Sequence, residues 1–260
     1  MIFTPADEPR ETTILFTPLA GALLPQVEVM VAGDRVRVLA DMVEAHLGAS
    51  ARRSTDVPHA SSMELEPGST CRILYVIVDQ HDGAALSRVA ERIAATCAHG
   101  VAFLVLAVAG TSLCDAAAAV AIGCDCTLVA EQPSGLLHLL RLILPPPQQM
   151  IGYDLFDVLA VWRGGYGQIL PLAEDGGPAV LTDLAESGPH PHGATLLVEQ
   201  QEASSEQLGW LEGQADRVRS LLGNEADLLW CYNLTPSDRP VAEVALVWCD
   251  PDALCPGERP

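Results

Sequence analysis

Two stretches of the chain are apolar almost without interruption. Residues 71–78 (CRILYVIV) and 101–109 (VAFLVLAVA) lack the polar alternation of a half-exposed strand. Such runs belong to strands buried on both faces, as in a parallel sheet. Between them, Leu86, Val89, Ala90, Ile93, Ala94 and Cys97 fall on one face of a helix that His99-Gly100 ends. Residues 13–16 (TILF) and 27–31 (VEVMV) are earlier strand candidates, the second closed by Gly33-Asp34. Residues 49–70, rich in Ser, Pro, Gly and charge, read as a surface loop.

The alternation continues downstream. Residues 112–122 have the alanine content of a packed helix, 127–130 form a short strand, and 134–144 a leucine-rich helix that Pro145-Pro146-Pro147 stops. Alternating strands and helices predict a parallel sheet covered by helices. After Asp157 the series changes to a strand at 195–198, a helix at 205–222, and strands at 228–232 and 241–248. Ser204 or Ser205 can cap that helix, and Gly223-Asn224 can close it. This half has the size of a small α+β domain.

Composition narrows the possible partners. The 260 residues are 49% hydrophobic and 18% charged, the balance of a folded globular chain with one or two domains. The net charge is −20, and all 14 basic residues are arginine, scattered without a run. An acidic surface of this kind argues against nucleic acid and against anionic membranes. Residues 101–109 are too short to span a bilayer, so no membrane span is expected. The first residues (MIFTPADEPRETT) lack the pattern of a signal peptide, which predicts a cytoplasmic protein. The eight cysteines include one close pair, Cys124 and Cys126, with no second pair at zinc-site spacing, so no metal is expected. His190-Pro191-His192 reads as a loop fragment. Trp162, Trp210, Trp230 and Trp248 read as packing residues, with an exposed contact open to Trp162 beside Arg163-Gly164-Gly165.

The C-terminal half resembles the second domain of FtsZ, the bacterial cell-division member of the tubulin superfamily. The resemblance is carried in order by Asp154-Leu-Phe-Asp157-Val, Gly165-Tyr166, His192-Gly-Ala-Thr-Leu-Leu-Val, Asn224-Glu-Ala-Asp-Leu-Leu-Trp and Leu234-Thr-Pro-Ser-Asp. Upstream, Arg88-Val-Ala-Glu-Arg-Ile-Ala, Thr127-Leu-Val and Gly135-Leu-Leu match later elements of that family's nucleotide domain. The resemblance implies an α/β fold. A parallel-sheet, nucleotide-binding-type domain at residues 1–150 would be followed by a smaller α+β domain at 151–260.

It also implies a nucleotide site whose motifs are degraded here. Where family members carry GGGTG[TS]G, cradling phosphates on bare backbone N–H groups at a helix start, this chain reads Asp79-Gln80-His81-Asp82-Gly83-Ala84-Ala85. The first glycine loop is matched to residues 16–22, with Gly21 as its remnant, and the guanine-reading segment to Gln132-Pro133-Ser134-Gly135. Two like charges at ~4 Å repel by ~4 kcal/mol at a surface-like dielectric, so acids in a phosphate cradle oppose a triphosphate. No cofactor is therefore expected, with retained GTP and Mg²⁺ as the alternative. Helix capping is the other reading of Asp79 and Asp82.

The family's inter-domain loop, N-x-D-x-x-D, enters the nucleotide pocket of the next subunit and positions water. Gly152-Tyr153-Asp154-Leu155-Phe156-Asp157 matches it at both acids, so Asp154 and Asp157 are the implied catalytic pair. Against this stands Asp157 as the cap of an element beginning at Val158. FtsZ or a second copy of the chain is the implied partner. A structural or regulatory subunit that has lost GTP binding, and a divergent GTPase that still binds GTP and self-polymerises, are the two competing expectations.

Overall fold

The computed structural model describes residues 12–16, 26–47, 51–54, 72–97, 103–144, 148–151, 155–172, 190–200, 205–222, 226–234 and 241–250. The chain divides into two compact units, one of residues 1–109 and 114–124, the other of 110–113 and 125–260. Residues 125–150, grouped by sequence with the first domain, pack with the second unit.

In the first unit the strands lie in the order β3 (Ala51–Ser54), β1 (Thr12–Phe16), β2 (Gln26–Ala32), β4 (Arg72–Asp79) and β5 (Phe103–Ala109). β2, β4 and β5 are parallel, while β1 is antiparallel to both of its neighbours. The apolar runs behave as expected. Every side chain from Ile73 to Val78 and from Phe103 to Val108 is buried. Each such aliphatic side chain contributes about 1.5–3 kcal/mol of burial. Helix α2 (Gly83–Cys97) buries Ala85, Leu86, Val89 and Ile93; of the face that the spacing predicts, Leu86, Val89 and Ile93 are buried, while Ala90 and Ala94 are exposed. It packs against α3 (Asp115–Ala121).

Helix α1 (Val38–Leu47) was not predicted, although Leu39, Ala40 and Val43 form its buried face. β3 lies within the stretch read as a loop. Its polar sequence, ARRS, carries no apolar signal, and it forms by pairing with β1.

In the second unit the order is β6 (Cys126–Ala130), β8 (Gly165–Pro171), β11 (Val241–Trp248), β9 (Gly193–Gln200), β10 (Asp227–Leu234) and β7 (Gln148–Ile151). β6 and β8 are parallel, as are β9 and β10. The other pairs are antiparallel. Helix α6 (Ser205–Leu221) packs on β9 and β10.

The leucine-rich segment opens as a 3-10 turn, Pro133–Leu137, before the six-residue α4 (His138–Ile143). Gly135 brings that turn close to the sheet, since a Cβ there would lie 2.8 Å from Ala130 Cβ. Helix α5 (Leu155–Trp162) begins three residues before the element expected at Val158. Gly164, at φ +71°, turns the chain from α5 into β8, and its N–H donates to the Asp125 carbonyl at 2.6 Å. Trp162 is fully buried, which rules out the exposed contact considered for it.

Candidate functional site

The chemistry expected of a phosphate cradle falls on the turn between β4 and α2. The sequence dictates its shape. Asp79 ends the strand, its carbonyl accepts from the Asp82 N–H at 3.1 Å, and Leu86 N–H then makes the first helical bond to Asp82 O at 2.9 Å. The side chains complete the turn. Asp82 Oδ1 accepts from Ala85 N–H at 2.9 Å, which is helix capping by an acid at a free backbone donor. Asp79 Oδ1 accepts from His81 N–H at 3.0 Å. Asp79 is buried and Asp82 half-buried, while His81 is exposed. The capping reading therefore holds for Asp82, and Asp79 braces the turn.

A second wall of the site was missed from sequence. β2 lies beside β4, so the segment after β2 meets the β4–α2 turn at the carboxyl ends of the parallel strands, where α/β sheets bind ligands. Gly33 stands there at φ +108°, and a Cβ on it would lie 3.4 Å from both Asp79 Cβ and Asp82 Oδ2. Arg35 Nε lies 3.4 Å from Asp79 Oδ2. The matched first glycine loop, 16–22, instead follows β1, which is antiparallel to β2. Gly21 lies outside the described residues. Gly83 is the first residue of α2, with nothing within 4 Å of the place a Cβ would take. No close backbone approach depends on it.

Asp157 sits in the first turn of α5, exposed to solvent, where a carboxylate complements the helix dipole. It is within the helix and not the cap of a later one, because α5 starts at Leu155. Its neighbour Phe156 is 78% exposed, one of few large apolar side chains so placed among the described residues. Asp154 lies outside the described residues.

The arrangement of these elements has counterparts among solved structures. A point mutant of FtsZ from M. jannaschii aligns with a TM-score of 0.50 at 15% identity, over 69% of this chain and 65% of that one. An empty FtsZ dimer from M. jannaschii aligns at 0.51 and 13% identity, over 69% and 63%. The fold is that of FtsZ. CetZ from Methanosaeta thermophila aligns at 0.46 and 11% identity, over 71% of this chain and 63% of that one. The chain thus spans less than two thirds of the length of each of these proteins. No family model and no curated protein matches the sequence.

At the β4–α2 turn of this FtsZ-like fold, three groups that could meet an anion are already engaged. The N–H of Ala85 is taken by Asp82, that of His81 by Asp79, and the nearby guanidinium of Arg35 pairs with Asp79. An incoming anion would meet two carboxylates and would compete with them for donors and for the cation.

The second unit holds a buried polar cluster that no motif announced. His138 Nδ1 lies 3.3 Å from Glu243 Oε2 and its Nε2 lies 2.9 Å from Thr195 Oγ1. Arg141 Nε lies 3.4 Å from Glu199 Oε2, its Nη1 3.8 Å from Glu243 Oε1, and that same Nη1 donates to Ser134 O at 3.2 Å. The hydroxyl–imidazole–carboxylate order resembles a hydrolytic triad. Thr195 and His138 are both 0% exposed, so no substrate reaches the hydroxyl. The cluster instead ties α4 to β9 and β11. Burial pushes Glu243 up, but its hydrogen bond to His138 and the charges of His138 and Arg141 outweigh that and hold it below the usual carboxylate value. For Glu199, burial wins over Arg141 and raises it.

Among the described residues, no helix is long and apolar enough to cross a membrane.

Proposed function

We propose that this chain is an FtsZ-like cytoskeletal subunit that works without a bound nucleotide. The reading rests on one observation above all: the capping donor at the start of α2 is already bonded to the chain's own Asp82 carboxylate. The Arg35–Asp79 pair supports it, since the cation beside the turn is also engaged. In this reading the chain binds neither GTP nor Mg²⁺ and is not a GTPase. It docks through the Asp154 and Asp157 loop onto FtsZ or onto a second copy of itself. The exposure of Asp157 and Phe156 on α5 favours docking there, and the M. jannaschii FtsZ described as a dimer offers a precedent in the same fold.

Isothermal titration with GTP and Mg²⁺ tests the nucleotide claim, and the expected result is no saturable heat. Stoichiometric binding would return the chain to the alternative of a divergent GTPase that self-polymerises. Co-sedimentation with an FtsZ polymer, and sedimentation velocity of the chain alone, test the docking claim. Asp154→Ala with Asp157→Ala should abolish whichever association is found. If wild type associates with neither FtsZ nor itself, the docking claim is wrong.

A further inference from the structure

Cys249 follows the last residue of β11 and lies at the surface. Among the cysteines whose side chains are described, Cys126 and Cys231 are buried, Cys114 and Cys124 are half-buried, and Cys249 is exposed. Their thiols also face different partners. Cys114 and Cys124 direct theirs to the carbonyls of Gln80 and Val120, each at 3.5 Å, and Cys231 faces Asn233 Oδ1 at 3.2 Å. Such oxygens accept a hydrogen bond but are poor bases. Cys249 Sγ instead lies 3.3 Å from His192 Nδ1.

The other ring nitrogen of His192 fixes what Nδ1 can do. Nε2 lies 3.1 Å from the Val161 carbonyl, which only accepts, so Nε2 carries the proton. In the neutral ring Nδ1 is then bare and accepts the Cys249 S–H. A thiol, a base in hydrogen-bond reach and a third group orienting that base make up an activated nucleophile. Val161 O belongs to α5, whose neighbouring residue Trp162 is buried, so the carbonyl is held on a packed element.

We propose that Cys249 is a thiol-modification site, with His192 as its base and small uncharged or cationic disulfides as its substrates. The sulfur attacks one sulfur of the disulfide as its proton passes to His192 Nδ1. The S–S bond of the reagent breaks, its second half leaves as a thiolate, and that thiolate takes the proton from His192. The product is a mixed disulfide at Cys249, with no external oxidant consumed. The chain's net charge of −20 selects against anionic reagents.

The test uses a dipyridyl disulfide on the full chain at neutral pH, with the fast phase mapped by peptide mass. Cys249 is expected to carry that phase. His192→Gln keeps a donor for Val161 O but removes the base, and should slow it about tenfold or more while leaving the slower thiols unchanged. A fast phase on any other cysteine, or an unchanged rate in His192→Gln, overturns the proposal. A second comparison needs no variant. Cys249 should react faster in the folded chain than in the chain unfolded by urea, where exposure remains but His192 is lost. Equal or slower reaction in the folded chain also overturns it.

Discussion

His138 Nδ1 lies 3.3 Å from Glu243 Oε2 across 105 positions of sequence, with both side chains sealed from solvent. The pair joins α4 to β11, and Arg141 extends it to Glu199. Removing one member of a buried pair leaves its partner desolvated and unpaired. Glu243→Gln should therefore cost about 3 kcal/mol in a denaturant melt at neutral pH.

The two carboxylates predict opposite pH dependence. Glu243 is held below its ordinary value of 4.5, so its contribution is present above 4.5 and is lost as the pH falls through the depressed folded value. Glu199 is raised above 4.5, so its contribution is present below 4.5 and lost as the pH rises through the elevated folded value. Above that elevated value the folded state must carry a charge on Glu199 that burial disfavours. Glu199→Gln should be as stable as wild type or more so there, with its relative gain shrinking in acid. Urea melts across the acidic range check both signs.

Trp162 fills the space that a side chain on Gly167 would need. A Cβ at Gly167 would lie 2.3 Å from Trp162 Cζ3 and 2.4 Å from its Cη2, and the ring is fully enclosed. Gly167→Ala should cost about 3 kcal/mol or more and shift the tryptophan fluorescence. A Cβ on Gly164 would meet nothing within 4 Å, so the penalty there comes from its φ of +71°, and Gly164→Ala should cost about 1 kcal/mol with the spectrum unchanged.

These glycines also show where sequence reading failed. Strands β4, β5, β9 and β11 and helices α2 and α6 were legible because buried strands are apolar throughout and packed helices keep their spacing. β8 was not, since Gly165 and Gly167 look like turn residues until Trp162 and Val247 are seen to occupy their Cβ positions. The short α4 fits the proline run that follows it. At the site, the capping role of Asp82 was readable from residue type and position. Gly33 and Arg35 were not, because their approach to Asp79 follows from β2 lying beside β4, a fact of topology with no local signal. His138, Glu243 and Glu199 were missed for the same reason.

Asp82 separates capping from charge. Asp82→Ala removes the acceptor for Ala85 N–H and should cost about 1 kcal/mol. Asp82→Asn keeps an acceptor oxygen of nearly equal capping strength, so stability should stay within a few tenths of a kcal/mol. Thermal unfolding of the two variants distinguishes them. Equal losses would mean that the carboxylate charge, and not the hydrogen bond, holds the start of α2.

Gly33 and Gly83 provide the complementary comparison. Gly83 stands where the resemblance places a phosphate-loop glycine, yet nothing lies within 4 Å of its would-be Cβ and it begins a helix. Gly83→Ala should stabilise the chain by about 0.4–1 kcal/mol, through helix propensity and a less flexible unfolded state. At Gly33 the neighbours at 3.4 Å are in ordinary contact, so the penalty comes from the backbone, whose φ of +108° disfavours any side chain. Gly33→Ala should cost about 1–2 kcal/mol. Because that strain sits beside the Arg35–Asp79 pair, the variant's α2 amides should also exchange faster with deuterium. Opposite signs from the two substitutions would mean that the glycine this fold uses follows β2, and that Gly83 has no structural need to be a glycine.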